Sequence, residues 1–217
     1  DTGLFKYLRG DVDLENGIAN INDGTITLTG VTIQDVAGKG ISSNDGIVTV
    51  ENVTIDNASD GIYMNHAEIT GEFTVKHAII TGVTRGIAIA KGIVDAEDVT
   101  VEKSAKTGAK EHTYGVFVSS ANSTAELKDV TVEEATTAGI GTTGGTVTAN
   151  NVTVTGGAAG IETKAGMMQK ATDATTGITI NGTSYGIKNM SGTTTLKNVV
   201  VNNTTTAGVY MEKGTLN

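Results

Sequence analysis

Nine times along the chain, a Gly closing a polar stretch is followed directly by Ile or Val. These anchors are Gly17, Gly40, Gly61, Gly86, Gly115, Gly139, Gly160, Gly186 and Gly208, at intervals of 23, 21, 25, 29, 24, 21, 26 and 22 residues. The text between them is nearly the same phrase. "VTVENVTIDNASDGI" (48–62) returns as "TLTGVTIQDVAGKGI" (27–41), "ELKDVTVEEATTAGI" (126–140) and "TANNVTVTGGAAGI" (148–161). Hydrophobic letters stay fixed while polar letters drift. A unit of this length cannot bury its apolar residues alone, so like units must stack on like.

Within each unit the apolar residues alternate with polar ones, which is the period of a strand. A first strand points Ile18, Ile41, Ile62, Ile87, Val116, Ile140, Ile161, Ile187 and Val209 inward. A second strand carries pairs such as Val48 with Val50 and Phe73 with Val75. A third carries Val53 with Ile55 and Val130 with Val132. Between second and third strands stands one corner residue: Gly30, Asn52, His77, Asp98, Asp129, Asn151, Gly177 or Asn198. These residue types tolerate positive φ, and no β-branched residue occurs there, so the corner is expected to be left-handed.

Three strands per coil, a tight Asn-type bend and variable loops resemble the right-handed parallel β-helix of pectin-lyase-like type. The resemblance implies an all-β solenoid of about nine coils of ~21–29 residues. One β-helix fills 1–217, with an irregular first coil at 1–16 and loop insertions at 103–114 and 167–176. The chain lacks an initiating Met and its end, "GTLN", begins another unit, so it is expected to be a slice of a longer protein. A left-handed hexapeptide helix needs a strict six-residue apolar period, and the calcium-binding roll needs Gly-Gly-x-Gly-x-Asp. Neither is present.

Composition narrows the function. There is no Cys, so disulfide scaffolds and Cys-ligated zinc sites are excluded. A net charge of −9 argues against a nucleic-acid partner. No apolar run approaches the ~20 residues of a membrane helix, so no membrane insertion is expected of this segment.

Enzymes of the pectinase kind place Asp clusters with Arg, Lys or His on the outer face of the first strand stack, since glycosidic chemistry needs paired carboxylates. The corresponding positions here are Ala19, Ser42, Tyr63, Ala88, Phe117, Gly141, Glu162, Lys188 and Tyr210. Only Glu162 is acidic, and its pairing with Lys188 reads as a surface ion pair of little worth. The chain is therefore expected not to be an enzyme and to need no cofactor. His66, His77 and His112 fall in different coils without ligand spacing, so no metal site is expected. The outward Thr column of the third strand (Thr32, Thr54, Thr100, Thr131, Thr153, Thr179) reads as strand propensity rather than an ice-binding array, because its neighbours are charged or amide.

Partner sites on a rigid rod are expected where the repeat breaks. The corner-to-anchor stretch after Asp98 runs 17 residues against nine or ten elsewhere, adding "KSAKTGAKEHTY". Its Lys103, Lys106, Lys110 and His112 offer a basic contact on an acidic chain; a solvated, neutral insertion is the plainer alternative. The second insertion carries Met167 and Met168, either packed beneath the loop or offered as an adaptable apolar contact. Outward Tyr63, Phe117 and Tyr210 are candidate interface anchors. Arg9-Gly10-Asp11 is the integrin-type tripeptide. Several Asn-x-Ser/Thr sequons, including Asn52 and Asn151, are expected from composition alone.

The coil grammar, the acidity, the missing Cys and the Thr/Gly/Asn bias resemble the passenger of a Gram-negative autotransporter adhesin. That resemblance implies a secreted or bacterial cell-surface rod, carried through an outer-membrane β-barrel absent from this segment. It implies binding to a host cell-surface protein or glycan, or self-association between rods. Two other readings stay open: a structural spacer of a surface protein, and a non-catalytic slice of a carbohydrate-active β-helix enzyme.

Overall fold

Alternating β-branched residues broken at fixed places by one left-handed residue can form a closed three-sided coil, and they do. A computed structural model describes residues 7–9, 16–20, 24–66, 72–170 and 177–217. Of the Arg9-Gly10-Asp11 tripeptide only Arg9 falls among them, at the end of strand Tyr7–Arg9, so the motif as a unit lies outside the described residues.

Among the described residues every strand pairing is parallel and joins one coil to the next. On the first face nine strands stack from Asn16–Asn20 through Lys39–Ser43 and Asp60–Asn65 to Ala207–Met211. Eight pairings link them, holding Ile18 beside Ile41, Ile41 beside Ile62, and so on to Ile187 beside Val209. At ~4.8 Å per coil, eight steps give a rod roughly 40 Å long.

The second and third faces run as one bent strand in several coils, as in Ile47–Asp56, Glu72–Thr81 and Thr146–Thr155. The bend falls where the sequence places it. Gly30, Asn52, His77, Asp98, Asp129, Asn151 and Asn198 have φ of 66°, 55°, 51°, 53°, 55°, 51° and 58°. Gly177 departs from this pattern, since its φ is not left-handed. In its coil the second and third strands, Met167–Lys170 and Ile178–Asn181, flank residues 171–176, which lie outside the described residues. Glycine is required there by close approach: a Cβ would lie 1.7 Å from the Asn198 carbonyl oxygen. A further left-handed column, unforeseen in the sequence, closes the third face at Asp35, Asn57, Gly82, Glu134, Gly156, Gly182 and Asn203.

The insertion expected at 167–176 begins later than that, since its first four residues belong to the regular coil and 171–176 lie outside the described residues. Met167–Lys170 is the seventh coil's second-face strand, in register with Thr146–Ala149 below and, at Met167–Gln169, with Thr193–Thr195 above. Met168 is fully buried in the column that holds Val147, and Met167 points out. An unbranched thioether fills a position held in other coils by Val48, Phe73, Val94, Ala125 and Val147.

Inside the coils Val, Ile and Ala dominate, with Phe73 the largest buried side chain. Each fully buried Val or Ile contributes about 1.5–3 kcal/mol relative to exposure, so the core is the main source of stability. Polar side chains enter the interior mainly at one column, three residues past the anchors (Asn20, Ser43, Thr142, Thr163 and Asn189), with Thr194 of the second face bonded to Thr163 at 2.9 Å. They satisfy turn groups. Asn20 donates to the Gly24 carbonyl at 2.9 Å, and Asn189 to the Thr215 carbonyl at 2.8 Å. Ser43 sits 2.8 Å from the Nε2 of buried His66.

On the outside of the second face, Glu51, Lys76, Glu97 and Lys128 stand in register on successive coils, alternating in sign. Glu97 contacts both Lys76, at 3.8 Å, and Lys128.

Candidate functional site

The lysine-bearing insertion is not a free basic loop. Lys106 reaches back along the rod and sets its ammonium 2.6 Å from Asp56 and 3.2 Å from Asp35. Ser104 and Thr81 donate to the same Asp56 oxygen at 3.0 and 2.8 Å. Burial pushes the Asp56 carboxyl up, but the bond from Lys106, aided by Thr81 and Ser104, holds it below the usual carboxylate range. Lys103 pairs with Glu111 at 3.3 Å, both exposed. Lys110 is exposed. His112 is 1% exposed, contrary to its expected role as a surface contact. It sits just before the fifth-coil strand, beneath the returning chain, and burial depresses its pKa, which only partly recovers from a bond to the Glu133 backbone. The insertion is thus a strap laid over earlier coils, its charges largely matched by its own acids and those of coils one and two.

The other candidates gather on the outer side of the first face. There the register aligns Phe117, Gly141, Glu162, Lys188 and Tyr210 on five successive coils. Beside that column run Asp60, Arg85, Tyr114, Ala138, Ala159 and Tyr185. Small residues at coils six and seven leave room for the large side chains of their neighbours. Tyr114 of coil five leans over Gly141 so closely that a Cβ there would come within 2.4 Å of its ring. Its hydroxyl then reaches coil seven, donating to Glu162 Oε2 at 3.2 Å and accepting from Lys164 Nζ at 3.3 Å.

Glu162 is 3% exposed and saturated. Lys188 donates to Oε1 at 2.9 Å, and Lys164 lies 3.0 Å from Oε2. Burial raises its pKa, and the bonds from Lys188 and Lys164 more than reverse this, leaving it below the ordinary value. Lys164 is held above its usual range, first by Glu162. Burial pushes the Tyr114 phenol up. The group is therefore a buried carboxylate under two partly exposed ammonium groups, well beyond the exposed pair the sequence suggested.

Aromatic pairs bracket it. The Tyr114 and Phe117 rings are 4.5 Å apart at 30°. Tyr185 and Tyr210 meet edge to face at 5.6 Å, with Lys188 5.6 Å from the Tyr185 ring. Tyr63, lower on the same face, is roofed by Lys39 at 4.7 Å and lies apart from this group. Next to it Arg85 makes a two-pronged contact with buried Asp60 at 2.6 and 2.8 Å, which raises the guanidinium pKa. The sequence offers Phe117 and Tyr210, with Tyr114 and Tyr185 just before their anchors, but neither their pairing nor the part of Lys164 is visible in it. The signal available was the pair of small residues, Ala138 and Gly141, that opens space for Tyr114.

Among the described residues no cluster of three or more His, Cys, Asp or Glu could hold a metal ion. No helix among them is long and apolar enough to cross a membrane. A comparison with curated proteins and one with solved structures each found no match. The family model described as "Right handed beta helix region" matches residues 16–204. With most of its length matched and its strands stacked in parallel coils, the chain belongs to the right-handed β-helix family.

Proposed function

We propose that the chain is an extracellular adhesive segment: a rigid rod from a bacterial surface protein whose first face docks a molecule on another surface. The observation that supports this most is the break in monotony at coils five to nine. There an otherwise repetitive exterior carries two aromatic pairs around a two-lysine group. Tyrosines of this kind are typical interface anchors, and a stiff scaffold presents them at little ordering cost. Glu162 also fits binding better than catalysis. A carboxylate held ionised by two lysines is a poor proton donor, and its neighbours in the same column, Gly141 and Lys188, supply no second acid. Export through an outer-membrane β-barrel belongs to this proposal.

The test is binding of the labelled chain to epithelial-type cells, beside Phe117→Ala/Tyr210→Ala and a deletion of 103–112. Loss with the aromatic double variant and retention with the deletion is the expected result. Loss only with the deletion would move the contact to the strap. No binding by the intact chain would leave the rod as a spacer.

A further inference from the structure

The geometry points to an acid-released clasp: charging the His112 ring drives it out of the turn column it plugs, and residues 107–111 swing away while the coils stay wound. The inference stands apart from the adhesive reading. The strap has a latch at one end and a plug at the other. The latch is Lys106 on Asp56 and Asp35, with Ser104 donating to Asp56. The plug is His112. The Thr113 N–H donates to the Thr84 carbonyl at 2.7 Å, and the Thr84 N–H to that of Ser59 at 2.7 Å, so His112 takes the place that Val83 and Ala58 take in the two coils below. Those two are fully buried, and His112 is as well. An imidazole thus fills a position that the preceding coils give to a hydrocarbon. Its Nε2 is buried with no partner among the described residues. Between latch and plug the chain is loosely held. Among the described residues, the backbone of 107–111 makes one hydrogen bond, from the Ala109 N–H to the Lys106 carbonyl at 3.2 Å, and that lies within the strap. Lys103 and Glu111 add one exposed pair, worth little.

A neutral ring tolerates this site and a charged one does not, because burial penalises the ion and a protonated Nε2 would lack an acceptor. The groups around the ring decide where the charge goes. Val83 and Thr84 below carry none. Above, the Glu133 backbone bonds the ring, while the Glu133 and Glu134 side chains are exposed, as is Glu111 on the strap itself. The counter-charges lie outside the column, and an imidazolium meets them by swinging out. The His112 carbonyl, which accepts from the Thr136 N–H at 2.9 Å, stays in place as the hinge. Burial holds the ring below its ordinary value, so the closed strap is favoured above pH ~6.5 and loses ground as pH falls. Asp56 is held low by Lys106 and its hydroxyl donors, so the latch survives mild acid.

The chain has no Cys, so a single thiol-linked spin label reports the strap alone. Lys110→Cys carries the label, with Glu126→Cys on the second face as reference; both positions are exposed. Between pH 7.5 and 5.0 the ratio of mobile to immobile label at 110 should rise reversibly, by up to ~30-fold for one proton bound only in the open form. The label at 126 and the far-UV circular dichroism should not change. His112→Val, which copies position 83, should keep the strap closed at both pH values; His112→Ala, which copies position 58, repeats the test if valine does not fit. His66→Gln should leave the transition in place. An immobile label at pH 5.0, the same transition in the His112 variants, its loss in His66→Gln, or loss of the circular dichroism signal at the same pH would each overturn the inference.

Discussion

Lys106 places its ammonium 2.6 Å from the carboxylate of Asp56, which lies two coils earlier in the stack. The contact ties a long insertion to the outside of the rod and cancels the charge that made the insertion look like a binding loop. Loop and scaffold are one unit as long as that pair holds.

Replacing Lys106 with Met should loosen residues 104–112 without unfolding the rod. The lysine side chain is 45% exposed, so the pair is partly screened and its loss should cost only about 0.5–1 kcal/mol. Amide hydrogen exchange is the sensitive readout. Protection should fall across the strap and stay unchanged in strand Ile47–Asp56; equal protection in both proteins would mean the strap is held by other contacts.

Stability should decline as pH falls below about 6.5. Burial depresses both His66 and His112 in the folded rod, and each has a buried ring nitrogen without a partner among the described residues. The unfolded chain protonates them near 6.5 while the fold resists. The stabilisation is therefore complete above that pH and lost on the way down towards the folded values. Asp56 and Glu162 are depressed too, but their contribution persists until the lower carboxylate range. Urea denaturation at pH 7.5 and 5.5 should show the drop. A flat profile would mean both histidines charge in place.

Lys188→Met should destabilise the seventh and eighth coils by roughly 1.5–3 kcal/mol, because it removes a charged hydrogen bond from a carboxylate that stays buried. The double variant with Glu162→Gln should recover much of the loss. A single variant as stable as the parent, measured by thermal unfolding, would show that water or Lys164 alone satisfies Glu162.

At the corner, Asn52→Val should cost about 1–2 kcal/mol and Asn52→Gly much less, since a β-branched residue opposes φ of 55° while glycine accepts it. Equal melting temperatures for the two variants would remove the left-handed corner as a determinant of the coil.

Much of this architecture can be read in the sequence because its two signals are local. Period-two alternation marks the strands, and Asn, Asp, Gly or His at one fixed place marks the bend. At Met167–Lys170 the local signal fails, and stacking between Thr146–Ala149 and Thr193–Thr195 defines the strand. The burial of His112 is hidden for the opposite reason: its neighbours in the sequence are polar, and what covers it comes from other coils. The first-face group is half visible. That Lys188 follows Glu162 one coil on can be counted from the anchors, but the reach of Tyr114 across two coils depends on what Gly141 leaves empty.

The alternating column of Glu51, Lys76, Glu97 and Lys128 bears on how such a chain counts. Nine similar coils offer a growing rod an easy error: skip one, loop it out, and stack on the next. Adjacent coils in this column attract, but coils one apart would bring Glu51 to Glu97 or Lys76 to Lys128. Omission is thus penalised where the interior, Val on Val and Ile on Ile, would scarcely notice it. The outer charges act as a parity check on the order in which the coils are wound.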